Sequence, residues 1–233
     1  MKIDFTGKRA LVTGGGRGIG REIATQLVAC GAKVVVFDII EEDLASLRKE
    51  IGCQTVRVDL SDTEKTKAAA KEVLPIDLLV NSAGVVNLEP FLETTVENFN
   101  QTMNINVRAM MVVSQVVAKN MVERKSGGAI VNISSDANLV AFQDHTTYCI
   151  SKAGVDGLTR VMALELGPHN IRTNSIAPIT TMTPMGRKAW SEPTKKAAML
   201  EKIPMGRFNE PIDVANAVIL LLSRSEERRV GKE

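Results

Sequence analysis

The chain has one tyrosine, Tyr148, and it stands four residues before a lysine, Lys152, in the run Thr147-Tyr148-Cys149-Ile150-Ser151-Lys152-Ala153-Gly154. On a helix that spacing sets the phenol and the ammonium one turn apart on one face. A phenol titrating near ~10 is a poor acid or base at neutral pH. A cation beside it favours the phenolate and draws its pKa toward the working range. Lysine is common in this chain, so the pair alone is weak evidence. The residues upstream of it give it weight.

A second constellation lies near the start. An apolar run ends in Thr13-Gly14-Gly15-Gly16-Arg17-Gly18-Ile19-Gly20, followed by a helical pattern. A glycine turn between strand and helix lets the backbone approach a pyrophosphate and aims the helix N-terminus at it. The spacing is Gly-x-x-x-Gly-x-Gly, which fits the general dinucleotide fingerprint only loosely. A tight turn would need similar glycines; the place directly after the first strand raises the functional reading. The second apolar run ends at Asp38, some twenty residues on. A carboxylate there can accept from an adenosine ribose and repels a 2′-phosphate. It could also be a surface acid that starts the next helix. Arg17 is the counterweight, since a guanidinium in the turn can reach a 2′-phosphate. The balance favours NAD(H), with NADP(H) as the alternative.

These groups need a scaffold, and the chain has the length for one α/β domain: 233 residues with a formal net charge of +2. The balanced charge argues against nucleic-acid or membrane-surface partners. The longest apolar runs are too short to span a bilayer, and no secretion leader is read at Met1-Lys2-Ile3-Asp4-Phe5. Cys30, Cys53 and Cys149 lack metal or disulfide spacing and read as free thiols of a cytoplasmic protein. With two distant histidines, no metal site is expected.

Short apolar runs alternate with stretches of helical period, the pattern of a parallel sheet flanked by helices. Strands are expected at Arg9–Thr13, Lys33–Phe37, Thr55–Val58, Leu78–Val80, Ala129–Ile133 and Arg172–Ala177. Helices are expected over Gly18–Cys30, Glu41–Glu50, Thr63–Glu72, a long Val96–Lys125, Tyr148–Gly167 and Ile212–Leu222. Residues 180–205, with Pro184, Pro193 and Pro204, read as an irregular substrate-covering segment after a strand end.

Together these pieces resemble the short-chain dehydrogenase/reductase family over residues 5–223. The turn matches that family's Thr-Gly-x-x-x-Gly-x-Gly. Val58-Asp59-Leu60 is similar to its adenine-contacting segment, and Asn81-Ser82-Ala83-Gly84 to its Asn-Asn-Ala-Gly. Asn104-Ile105-Asn106-Val107 resembles the active-site asparagine segment, and Ser135 lies thirteen residues before Tyr148, the family interval. The resemblance implies a single-domain Rossmann-type, doubly wound parallel sheet. It implies cofactor contacts at Gly14, Arg17, Gly18, Ile19, Gly20, Asp38, Asp59, Leu60, Asn81, Ala83, Gly84, Tyr148, Lys152, Pro178 and Thr183. It further implies a proton relay of Asn106, Ser135, Tyr148 and Lys152, in which Tyr148 is the acid, Lys152 lowers its pKa, Ser135 holds the substrate oxygen and Asn106 organises a water. A homotetramer is implied as well.

A narrower resemblance is to the L-xylulose (dicarbonyl) reductase branch, through Val161–His169, Met182–Gly186, Ala189–Pro193 and Ile203–Gly206. It implies reduction of small ketoses and α-dicarbonyls, usually with NADPH, and substrate contacts at His145 and Trp190. Asp38-Ile39 departs from that branch, as does Asp136 beside the serine. The alternatives are an NAD-linked polyol or secondary-alcohol dehydrogenase, a 3-oxoacyl thioester reductase, or a dinucleotide-sensing regulator without turnover. The resemblance stops after Ser223: Arg224–Glu233 is similar to a translated sequencing adapter, so a non-native tail and a sheet missing its last edge strand are expected.

Overall fold

The computed structural model describes residues 3–223. Six strands form one parallel sheet: β1 Arg9–Thr13, β2 Lys33–Asp38, β3 Gln54–Arg57, β4 Leu78–Asn81, β5 Gly128–Ile133 and β6 Ile171–Ile176. Every pairing is parallel, in the order β3-β2-β1-β4-β5-β6. The strands lie within one residue of their expected bounds. They are apolar on both faces because both are covered. On β1, Ala10 and Val12 face the layer of α1 (Gly18–Ala29), α2 (Glu41–Ile51) and α9 (Pro211–Leu222). Leu11 faces the opposite layer of α3 (Thr63–Glu72), α5 (Met110–Arg124) and α6 (Thr146–Leu166).

The strand order reverses between β1 and β4, and ligands of open α/β sheets bind beyond the strand ends at such a switch point. The glycine turn leaves β1 there, and Asn81-Ser82-Ala83-Gly84 leaves β4 beside it. Thr13 stitches the two: its Oγ1 accepts from the amides of Ser82 and Ala83 at 3.2 and 3.3 Å.

Two expectations change. The long helix is a rod in three parts: α4 (Val96–Met103), a π-helical segment Asn104–Ala109, and α5. A π turn adds a residue per turn and re-aims the side chains within it, and Asn106 lies inside it, fully buried. Segment 180–205 is not irregular throughout, for it holds α7 (Pro184–Ala189) and α8 (Pro193–Leu200). Pro184 and Pro193 open these helices, where a missing N–H costs nothing, instead of breaking them. Among the described residues β6 is the outer strand on its side; the expected tail, 224–233, lies outside them.

Candidate active site

Tyr148 lies in the first turn of α6, and Lys152 one turn on, as the spacing predicts. The Lys152 Nζ is 5.4 Å from the centre of the Tyr148 ring and donates to the Ile133 carbonyl at the end of β5 at 2.9 Å. Burial leaves Lys152 4% exposed and pulls its pKa down from 10.5 to about 8, with the Asp156 carboxylate opposing the fall. The Tyr148 phenol lies above its ordinary pKa. Burial pushes Tyr148 up and the Asp136 charge adds to that, while the Ser135 hydroxyl acts in the other direction. A desolvated phenol resists ionisation.

Ser135 lies two residues past the end of β5 and reaches the same space. Its Oγ donates to Asp136 Oδ1 at 3.0 Å and accepts from the Ala137 amide at 3.2 Å. The Asn106 Oδ1 accepts from the Val85 amide at 2.8 Å, and its Nδ2 donates to the Val85 carbonyl at 2.9 Å and to Ser151 Oγ at 3.0 Å. Ser151 Oγ in turn donates to the Tyr148 carbonyl at 2.7 Å. Asn106 thus clamps the segment after β4 onto the tyrosine helix. Ser151 went unremarked in the sequence; its position three residues after Tyr148, on the same helical face, was the available signal.

The dinucleotide cradle is built for close approach. A Cβ on Gly14 (φ +64°) would lie 2.6 Å from Ala83 Cα, and one on Gly20 would lie 2.3 Å from the Gly14 carbonyl oxygen. Arg17, the N-cap of α1, makes no side-chain cap bond, so the leading amides of α1, among them those of Gly18, Ile19 and Gly20, are left for an anion. Thr183 reaches the turn from segment 180–205, its Cγ2 only 3.1 Å from where a Gly18 Cβ would stand. This donor set fits a pyrophosphate. Asp38 borders it: Oδ2 accepts from the Gly16 amide at 2.9 Å, and Oδ1 from the amides of Ile39 and Ile40 at 2.8 and 3.2 Å. Arg57, paired with Asp38 across β2 and β3, was missed; its Nε donates to the Ile39 carbonyl at 3.2 Å. Asp59 is exposed and Leu60 buried beyond β3. Gly84 lies against both Asn106 Oδ1 and Lys152 Nζ. The Pro178 carbonyl accepts from the Asp136 amide at 3.2 Å.

Two expected residues, Asn81 and Trp190, are engaged elsewhere. The Asn81 side chain is 1% exposed and turned into the core, donating to Ser114 Oγ at 2.9 Å and Asn132 Oδ1 at 2.8 Å. Its side chain joins β4, β5 and α5, so a cofactor contact through that side chain is corrected to a structural role. Trp190 packs on Phe208, ring centres 5.6 Å apart. His145 is near the centre, its ring 6.1 Å from Tyr148 and its Nδ1 2.5 Å from the Gln143 carbonyl. Among the described residues no group of His, Cys, Asp and Glu is placed to hold a metal ion.

A phosphate-ready turn at the switch point, with a Tyr–Lys pair and a serine beyond β5, defines a dinucleotide-dependent oxidoreductase. A family profile described as enoyl-(acyl carrier protein) reductase matches residues 14–233. The L-xylulose reductase of Mus musculus is 49% identical over 232 residues, 99% of this chain and 95% of that protein. The D-erythrulose reductase of Gallus gallus is 45% identical over 230 residues, 98% and 94% of the two chains. The crystal structure of a putative NAD(P)-dependent gluconate 5-dehydrogenase from Beutenbergia cavernae, with bound NADP, superposes with a TM-score of 0.93 at 28% identity, over 98% of this chain and 94% of that one. The chain belongs to the short-chain dehydrogenase/reductase family and is an NAD(P)-dependent oxidoreductase.

Proposed function

We propose that this enzyme reduces the carbonyl of L-xylulose or another small ketose or α-dicarbonyl, and oxidises the alcohol in the reverse direction. The observation that carries the reading is the convergence of Tyr148, Lys152 and Ser135 beside the glycine cradle, in a chain whose relatives at 45–49% identity are named for L-xylulose and D-erythrulose. Bound nicotinamide supplies the hydride chemistry. Tyr148 gives its phenolic proton to the carbonyl oxygen, and a raised pKa suits it to hold that proton until the oxygen becomes basic. Lys152 stands behind it as the nearest cation and, with its pKa near 8, as the group that restores the proton. Ser135 positions the substrate oxygen. Asn106 holds the Val85 segment and, through Ser151, the start of α6, and organises a water that links Lys152 to solvent.

The Asp38 carboxylate, fixed by three backbone amides beside the turn, favours NAD(H) through repulsion of a 2′-phosphate. Arg17 and the solved relative with bound NADP support NADP(H) as the second reading. Exposed apolar side chains on the outer helices, Met111 on α5 and Val161 and Leu164 on α6, support a homotetramer. Three free cysteines, and no described helix long and apolar enough to cross a membrane, support a cytoplasmic setting. Initial rates with L-xylulose, diacetyl and xylitol, each with NAD(H) and NADP(H), test the reading. Turnover of L-xylulose with NADH is expected to lead. No turnover of any small ketose refutes the substrate class, and a strong preference for NADPH refutes the part given to Asp38.

A further inference from the structure

Past Ser135 the chain makes a short 3-10 turn, Asp136–Asn138, in which the Asn138 amide donates to the Ser135 carbonyl at 3.0 Å. The Asn138 side chain leaves that turn for α6, where its Nδ2 donates to Asp156 Oδ2. Asp156 stands one helical turn beyond Lys152, so one face of α6 carries Tyr148, Lys152 and Asp156 in succession. A bond between partners 18 residues apart thus ties the serine turn to the helix that bears the tyrosine and the lysine.

The Asp156 carboxylate is poorly compensated. Asn138 is an uncharged donor, and Asp156 Oδ1 is buried with no hydrogen-bond partner among the described residues. Arg160, a further turn along, is exposed. Water would damp such a charge, but away from solvent it acts across a helical turn. Lys152 lies at that range, buried and bonded to the neutral Ile133 carbonyl. Asp156 opposes the desolvation that pulls the Lys152 pKa down to about 8.

Other charged and titratable groups sit elsewhere. Cys149, His145 and Asp136 lie on the tyrosine side of Lys152. Arg108 of the π-helical segment donates to the Ser61 carbonyl, Arg172 of β6 to the carbonyls of Leu221, Leu222 and Ser223, and Glu97 of α4 is exposed. Of these charges, Asp156 is the one that favours the Lys152 ammonium.

We propose that Asp156 serves Lys152 as its counter-ion and, through Asn138, keeps the serine turn in register with the tyrosine helix. This rests on the reductase reading above and deepens it. Asp156 is a positioning residue: it touches neither substrate nor dinucleotide, and it keeps Lys152 loaded with the proton that Tyr148 must recover.

The test uses the full chain with Asp156→Asn, the charge-keeping Asp156→Glu, and Asn138→Ala. An amide at 156 still accepts from Asn138 Nδ2 and can donate to Asn138 Oδ1, so Asp156→Asn removes the charge and keeps the tie. In the first readout, kcat/KM for L-xylulose at saturating NADH is followed against pH. Reduction needs the ammonium, so the wild-type rate falls as pH rises through about 8. In Asp156→Asn that fall is expected about one pH unit lower, and Asp156→Glu restores it. Asn138→Ala keeps the limb in place but raises KM about threefold or more, because the serine turn is loosened.

The second readout needs no turnover. In urea unfolding near pH 7, Asp156→Asn is expected to cost about tenfold in the folding equilibrium in wild type, and nothing in a Lys152→Met background. Equal effects in the two backgrounds, within about twofold, overturn the proposal whatever the activity. A pH limb unmoved in Asp156→Asn overturns it while leaving the reductase reading intact, and wild-type KM in Asn138→Ala overturns the part given to the tie. If the wild type reduces no ketose, the reductase reading falls and the urea comparison alone decides.

Discussion

Replacing Lys152 by methionine separates the demands of chemistry from those of stability. The ammonium is 4% exposed and its pKa falls from 10.5 to about 8. The difference, 10.5 minus about 8, is ~2.5 units, and at ~1.36 kcal/mol per unit the fold carries about 3 kcal/mol of penalty for holding this charge at neutral pH. The sign comes from proton binding. Because the folded pKa lies below the unfolded one, the unfolded chain binds more protons between pH 8 and 10.5, and wild-type stability rises with pH across that window. Methionine removes the charge and also the bond to the Ile133 carbonyl, which offsets ~1 to 2 kcal/mol of the gain. Lys152→Met is therefore expected to be more stable than wild type near neutral pH by about 1 to 2 kcal/mol. That margin should shrink by ~2 kcal/mol by about pH 10, while activity is lost. Urea unfolding of both proteins at fixed concentration, from about pH 7 to pH 10, measures it. A stability difference that does not change with pH refutes the placement of a strained ammonium beside Tyr148.

Three further outcomes are expected. Tyr148→Phe abolishes turnover, by about a thousandfold or more, yet keeps dinucleotide affinity within a few-fold by fluorescence titration, because only the proton donor is gone. Gly14→Ala destabilises the fold by at least ~1 to 2 kcal/mol and weakens dinucleotide binding, since φ +64° and the contact with Ala83 both oppose a Cβ; calorimetric titration and thermal melts report the two effects. Asn81→Ala leaves Asn132 Oδ1 and Ser114 Oγ without their shared donor in the core and costs about 1 to 3 kcal/mol in urea unfolding, with KM for the dinucleotide nearly unchanged.

Much of this was legible in the residues. β1, its glycine turn and α1 could be read because strand, turn and helix there are all set by local demands: a short apolar run, positive φ at Gly14, an open helix N-terminus. The Tyr148–Lys152 pairing was legible for the same reason, as one helical turn brings them together. Reading residues 180–205 as irregular failed at Pro184 and Pro193 because proline is neutral at the first helical position, and whether it occupies that position depends on the residues C-terminal to it. The π turn at Asn104–Ala109 left no periodic signal in so short a segment.

Sequence by itself determined which groups could do chemistry, since residue type and helical or strand spacing are local properties of the chain. Tertiary structure decided how those groups are tuned. Asn81 became a core strut because partners 33 and 51 residues away close on it. Lys152 and Tyr148 shifted in directions that burial, not spacing, dictates. Ser135 and Asp136 are neighbours in the chain, but that the hydroxyl meets the carboxylate is set by the turn that aims one at the other. Desolvation and hydrogen-bond direction depend on everything packed around a group, and that exists only once the sheet and its helices have closed.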